Sequence, residues 1–268
     1  MNDRESRGEG HRQRGSIEYL DVPGSSDRLA LRFDDPPSAA PGRPAMLYLH
    51  GFGASQDGEK AEFFRSRALA AGFAFCSFDF RGHGLSGGTL GGISLERNLE
   101  DVALVHDFLA RQGHPRPVVL GSSFGGLTGL WHTALHSDRV EAGLFIAPAV
   151  DLGERTAAWA GETGLEEWRR TGHRRVVTPV VDCELGWSFV AAFERYPTGE
   201  LAARLSTRCL LLQGRLDDQV SWNRVVDFSA ACQKAKIELH LFSDGDHRLV
   251  DRKPLLWRLM GTFLDLAD

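Results

Sequence analysis

Two stretches of the chain, Gly84-Leu85-Ser86-Gly87-Gly88 and Gly121-Ser122-Ser123-Phe124-Gly125, set a serine between glycines two residues away on either side. That spacing suits a serine nucleophile on a sharp strand-to-helix turn, where a side chain at either flanking position would collide with neighbouring backbone. In a chain with 30 glycines the pattern alone does not choose between them. Context does. Ser123 directly follows the apolar run PVVLG and opens an apolar-periodic segment through Gly126, Leu127, Leu130 and Trp131, so it is the expected nucleophile. Ser86 lies in a glycine-rich loop with no helix beginning at it, and is expected to be structural.

A serine hydroxyl is a weak nucleophile near neutrality and needs a base, with a third group to orient that base. His247, in Ser243-Asp244-Gly245-Asp246-His247, lies just past the apolar run 237–243 and is the expected base. His240 falls inside that run, His132 and His136 fall on the segment after the nucleophile, and His106 and His114 border another helical segment. The acid belongs after the run CLLLQG, where Asp217 and Asp218 stand side by side and only one can point inward. Two backbone N–H donors must face the developing oxyanion, each worth about 3 kcal/mol in the transition state. Phe124, directly after the nucleophile, supplies one, and Phe52 in His50-Gly51-Phe52-Gly53 supplies the other, with His50 orienting that loop. The chemistry such a set performs is acyl transfer.

These residues need a scaffold that brings four distant loops together. Residues 16–34 alternate apolar and polar around Pro23-Gly24-Ser25-Ser26, the pattern of an edge hairpin. From 45 onward, near-continuous apolar runs (45–52, 73–80, 117–122, 140–148, 209–214 and 237–243) alternate with helix-like segments at 59–71, 124–136, 222–234 and 252–266, and with one whose apolar residues run from Leu95 to Leu109 before Pro115 and Pro117 stop it. Runs without alternation are covered on both faces, which predicts a mostly parallel, doubly wound α/β sheet. Ser94 is placed to cap the helix that opens at Leu95. The rhythm breaks between 149 and 206, where polar helix-like stretches carry Trp159, Trp168 and Trp187. The expected organisation is a core of 15–148 and 207–268, a small helical cap at 149–206, and a disordered tail at 1–14. Trp159 and Trp187, with Phe189 and Phe193, are expected to cover the serine and line an acyl pocket; equally, they suit a small core of the insertion's own.

The net charge of −5 and the scattered Lys and Arg residues argue against nucleic acid as a partner. Cys76, Cys183, Cys209 and Cys232 are far apart without a C-x-x-C pair, and read as reduced thiols. The polar N-terminal stretch lacks the apolar segment of a secretory signal, and no run approaches a membrane span, so a cytoplasmic protein acting on a small-molecule or acylated substrate is expected. No metal or cofactor is called for: His and carboxylate spacing never repeats in a ligand pattern, and Asp79 with His83 reads as loop structure. Oligomeric state is open.

The set His50-Gly51-Phe52, Asp79-Phe80-Arg81-Gly82-His83-Gly84-Leu85-Ser86, Gly121 to Gly126, Gly214-Arg215-Leu216-Asp217 and Asp246-His247 resembles the α/β-hydrolase superfamily. That resemblance implies a structural role for the Asp79–Ser86 loop. It also places the acid three residues after Gly214 and three before Val220, on Asp217. Asp217-Asp218-Gln219-Val220-Ser221-Trp222 and Asp246-His247-Arg248 further resemble small-capped esterases and acyl-protein thioesterases, apart from Ser221 where proline is usual. What the resemblance implies is a serine hydrolase cleaving a carboxylic ester or thioester through an acyl-enzyme. An aspartate at 123 would have suggested a dehalogenase or epoxide hydrolase, and a cysteine a dienelactone hydrolase. Cofactor-free haloperoxidases, C–C bond hydrolases and ligand-binding proteins on a hydrolase scaffold remain as alternatives on the same fold.

Overall fold

The N-terminal hairpin forms from strands β1 (Ile17–Asp21) and β2 (Arg28–Asp34), paired antiparallel with Ile17 opposite Arg32. Beyond it, strand and helix alternate: β3 (Met46–Leu49), α1 (Glu59–Ala70), β4 (Phe75–Phe78), α2 (Leu95–Arg111), β5 (Val118–Ser122), α3 (Phe124–Leu135) and β6 (Ala142–Ile146). After a long connection come β9 (Cys209–Gly214), α7 (Trp222–Ala231), β10 (Ile237–Phe242) and α8 (Lys253–Phe263). This computed structural model describes residues 15–38, 42–178 and 181–266, so the tail expected at 1–14 lies outside the described residues.

The main sheet has eight strands in the order β1-β2-β4-β3-β5-β6-β9-β10. The six from β4 to β10 run parallel, whereas β2 meets β4 antiparallel. The continuous apolar runs follow from burial on both faces. Val118 and Leu120 of β5 face one layer with Phe64 of α1 and Leu256 and Met260 of α8. Val119 faces the other with Val102 and Val105 of α2 and Leu127 and Leu130 of α3. Helix α2 starts where expected, with the Arg97 N–H donating to the Ser94 hydroxyl at 3.1 Å. Strand order reverses at β3, which has β4 on one side and β5 on the other, opening a crevice above the carboxyl ends of these strands. Among the described residues no helix is long and apolar enough to cross a membrane.

The connection between β6 and β9 contains α4 (Leu152–Thr171), α5 (Ser188–Arg195) and α6 (Thr198–Arg204), but it is not wholly helical as expected. After Gly172, at φ 82°, the chain forms a two-stranded hairpin of β7 (His173–Val177) and β8 (Asp182–Gly186). Its residues alternate exposed and half-buried along β7, while in β8 Leu185 is buried. Arg175 braces the pair through a bidentate contact with Asp182, at 2.9 and 2.8 Å. Polar residues on the wet positions conceal such a strand in sequence, because too few apolar residues remain to show the period.

Besides His247, four imidazoles are buried among the described residues: His50, His83, His106 and His132. Between α2 and α3, His106 Nδ1 lies 2.8 Å from His132 Nε2, while His106 Nε2 lies 3.2 Å from the Pro115 carbonyl. The carbonyl requires a proton on His106 Nε2, leaving Nδ1 to accept from His132, so the pair is satisfied with both rings neutral. Burial lowers the pKa of all four rings, and brings His83 down to about 4. A depressed histidine contributes stability that is present above the unfolded value and is lost as pH falls toward the folded one. For His83, between 6.5 and about 4, the loss is about 3 kcal/mol. The melting temperature should therefore drop from about pH 6.5 to about 4.5, opposed in part by Asp101, whose carboxyl burial raises to about 6. An unchanged melting temperature across that interval, followed by circular dichroism, would contradict the neutral-histidine assignment.

Candidate active site

Every loop singled out in the sequence emerges at the carboxyl end of a parallel strand, on one rim of the sheet. Ser123 occupies the turn between β5 and α3 at φ 54°, ψ −120°, a backbone conformation an L-residue rarely adopts. The surroundings impose it. A Cβ on Gly121 would lie 2.5 Å from the Gly125 carbonyl oxygen, and one on Gly125 would lie 2.3 Å from that of His50. Only glycine fits at either position, which lets the turn close tightly enough to present the Ser123 hydroxyl above the sheet. The Ser123 N–H donates to the Ile146 carbonyl at 2.9 Å, tying the turn to β6.

His247 Nε2 lies 3.0 Å from Ser123 Oγ, and its Nδ1 lies 2.8 Å from Asp217 Oδ2 and 3.0 Å from Oδ1. His247 is 9% exposed, and the Asp217 side chain is wholly buried. Of the two neighbouring aspartates, Asp217 turns inward and Asp218 is exposed. The reason is local. Asp217 Oδ1 accepts from the Gln219 and Val220 N–H groups, each at 2.8 Å, and Oδ2 accepts from Gln213 Nε2 at 2.8 Å. Burial by itself would raise this carboxyl, but the His247 hydrogen bond and charge, the Val220 N–H and Gln213 outweigh it and hold the pKa below the ordinary carboxylate value. Asp217 is thus ionised beside the imidazole.

The loop after β3 passes close to Ser123: a Cβ on Gly51 would lie 3.3 Å from Ser123 Cβ. Two neutral imidazoles hold this loop. His50 Nε2 accepts from the Phe80 N–H at 3.1 Å, so its Nδ1 donates to the Gly51 carbonyl at 2.8 Å. His83 Nε2 accepts from the Gly53 N–H at 3.1 Å. Phe52 lies between these tethers, and Phe124 begins α3, where the first-turn N–H groups have no partner within the helix. Phe189 of α5 packs across both, with ring centroids 6.5 Å from Phe52 and 5.8 Å from Phe124, and with Phe193 a further 5.5 Å on.

The second G-x-S-x-G serine is differently placed. Ser86 Oγ donates to the Asp79 carbonyl at 2.5 Å and accepts from the Ala30 N–H at 2.9 Å. Asp79 in turn accepts from the Gln56 N–H and side chain and from the Leu85 N–H, at 2.8 to 2.9 Å. These bonds fasten the loop after β4 to β2 and to the loop after β3. Trp159 and Trp187 meet Trp168, each with centroids 6.4 Å apart, and Arg174 and Arg169 lie over their other faces. Trp159 is 55% exposed. Both tryptophans therefore belong to the aromatic cluster of the insertion, and Phe189 is the ring that reaches the nucleophile's loop.

Two supporting residues escaped the sequence reading. Gln213 was visible only as the lone polar residue in CLLLQG, and nothing local marked Lys60, whose Nζ donates to Ser122 Oγ at 2.7 Å across 62 residues of chain.

A protein-family model described as alpha/beta hydrolase fold matches residues 44–231. Palmitoyl-protein thioesterase ABHD10, mitochondrial, of Mus musculus is 25% identical over 237 residues, spanning 84% of this chain and 75% of that protein. The Rattus norvegicus protein of the same name is 23% identical over the same shares. Among solved structures, the mouse alpha/beta hydrolase domain-containing protein 10 superposes with a TM-score of 0.78 at 22% identity, covering 94% of this chain and 100% of that one. Est1E from Butyrivibrio proteoclasticus with bound ferulic acid gives 0.77 at 18% identity, covering 91% and 97%. These superpositions show a shared fold.

Proposed function

Since this chain belongs to the alpha/beta hydrolase fold family, we propose that it is a serine hydrolase cleaving a carboxylic ester or thioester, with Ser123, His247 and Asp217 as its triad. The observation that carries the reading is the relay from Ser123 Oγ to His247 Nε2 at 3.0 Å and from His247 Nδ1 to Asp217 at 2.8 Å. Asp217 keeps the proton on Nδ1, so Nε2 is free to accept the serine proton as Oγ attacks the acyl carbon. The negative charge that moves onto the acyl oxygen is met by the Phe52 and Phe124 N–H groups. Collapse of the adduct breaks the bond to the leaving oxygen or sulfur, which takes the proton from His247. Water then enters by the reverse route and releases the acid from Ser123. A ligand-binding protein would not account for an orienting carboxylate, a free imidazole nitrogen and a strained serine in register.

The segment 149–206 acts as a cap in this reading, with Phe189 as the wall of the acyl pocket. The mouse relative is named for palmitoyl thioesters, so acyl thioesters belong in the substrate panel beside esters. Free thiols at Cys76, Cys183, Cys209 and Cys232 suit a reducing compartment, and the cytoplasm is the one proposed here, although the mouse relative is named as mitochondrial.

A panel of p-nitrophenyl esters and acyl thioesters of graded chain length tests the proposal. Wild-type protein should turn over at least one series. Phe189→Ala should shift kcat/KM toward bulkier acyl groups by about tenfold, whereas Trp159→Ala and Trp187→Ala should keep the wild-type preference. A shifted preference in the tryptophan variants alone would move the pocket wall to them.

A further inference from the structure

The sheet face beneath the proposed nucleophile carries a half-buried cation that the triad reading does not use. Ser122 closes β5 and pairs with Ile146 of β6, and it is 3% exposed. It shares the face of Val118 and Leu120, the side covered by α1, whereas Ser123 turns away to begin α3. The second residue of α1 is Lys60, and its ammonium donates to Ser122 Oγ at 2.7 Å. The Ser122 carbonyl oxygen lies 3.3 Å from where a Cβ on Gly51 would sit, so this residue joins the strained turn to the loop that carries Phe52.

Four charged groups face the Lys60 ammonium. Glu59 comes from its own helix and is itself engaged by Lys253 of α8; Asp217 comes from the loop after β9; Asp246 and Arg248 come from the loop after β10. The acid of the candidate triad is therefore within the field of a half-buried lysine, which is itself bonded to the turn.

We propose that Lys60 is a positioning residue for Ser123, clamping the strained turn through Ser122 and placing a positive charge beneath the triad that activity requires. This rests on the proposed serine-hydrolase reading. The ammonium donates without needing an acceptor of its own, and its charge favours the ionised Asp217 and the anion that forms above the turn. Burial, reinforced by Arg248 and opposed by the three carboxylates, lowers the Lys60 pKa to about 8. The charge is then largely present at neutral pH and is lost in the mildly alkaline range.

The test is the rate of Ser123 labelling by a fluorophosphonate between about pH 6 and 10, which has no background from spontaneous ester hydrolysis. In wild-type protein the rate should fall about tenfold through an alkaline limb near pH 8. Lys60→Met should be about tenfold slower at neutral pH and show no alkaline limb, while Lys60→Arg should stay fast and hold its rate to about pH 10. Ser122→Ala, which removes the acceptor but leaves the charge, should be slower and keep the limb. It decides the clamp even if Lys60→Met does not fold. A wild-type pH profile in Lys60→Met, loss of the neutral rate in Lys60→Arg, or an unaltered rate in Ser122→Ala would overturn the inference. Wild-type protein that folds yet does not label would instead overturn the serine-hydrolase reading itself.

Discussion

Ser123→Ala is expected to lower kcat/KM on any ester the protein cleaves by about 10⁴-fold or more and to abolish fluorophosphonate labelling. The loss is that of a covalent route. With His247, Asp217 and the N–H donors still in place, only the slow, direct attack of water on a bound substrate remains. Stability should separate this effect from damage to the fold. Ser123 sits at φ 54°, and alanine has the same aversion to that region, so Ser123→Ala should melt close to wild type. Ser123→Gly, which removes the Cβ conflict, should be just as inactive yet more stable by about 1 kcal/mol. Ser86→Ala gives the opposite pattern. It deletes bonds to Asp79 and Ala30 and should lower the melting temperature while leaving labelling intact. Turnover at the wild-type rate in Ser123→Ala would end the proposed mechanism, and loss of labelling in a well-folded Ser86→Ala would move the nucleophile to the other G-x-S-x-G motif.

The two serines show what could be read before any coordinates. The motif was duplicated, and the discriminating fact was the neighbouring pattern: a buried strand ending at Ser122 and a helix starting at Phe124, both of which form. His247 was legible for a similar reason, because its place after an apolar run is a statement about topology. Contacts between side chains distant in sequence were not legible. Lys60 and Ser122 are separated by 62 residues, and no local periodicity encodes that they meet. The hairpin at 173–186 was hidden because Arg174 takes an inward position and Val177 an outward one, which breaks the apolar–polar alternation. In the insertion the sequence left two readings open, a pocket lining or a core of the insertion's own; in the structure Trp159 and Trp187 meet Trp168 edge-on, while Phe189 packs on Phe52 and Phe124. Composition shows that aromatic surface will be buried, but not against which neighbour.

Asp217 and Asp218 cannot be separated by local sequence, and exchanging each for asparagine gives the sharpest contrast available. Asp218→Asn should leave kcat within about twofold of wild type, since its side chain is exposed. Asp217→Asn should lower kcat by about 10⁴-fold with little change in KM. The size follows from which proton goes where. The Gln219 and Val220 N–H groups both point at one oxygen of residue 217, so the asparagine carbonyl must take that position. Its NH2 group then faces His247 Nδ1 and the Gln213 side chain. Gln213 can turn over and accept, because its Oε1 is buried without a hydrogen-bond partner in the native arrangement. The asparagine is thereby locked as a donor toward His247 Nδ1, which drives the imidazole proton onto Nε2. That nitrogen would then donate to Ser123 Oγ where catalysis needs it to accept, and no carboxylate would remain to stabilise the imidazolium. Gln213→Glu in the Asp217→Asn background should not restore activity, because it supplies a negative charge without returning the tautomer. Full activity in Asp217→Asn together with its loss in Asp218→Asn would reassign the acid and require the loop after β9 to turn its other carboxylate inward.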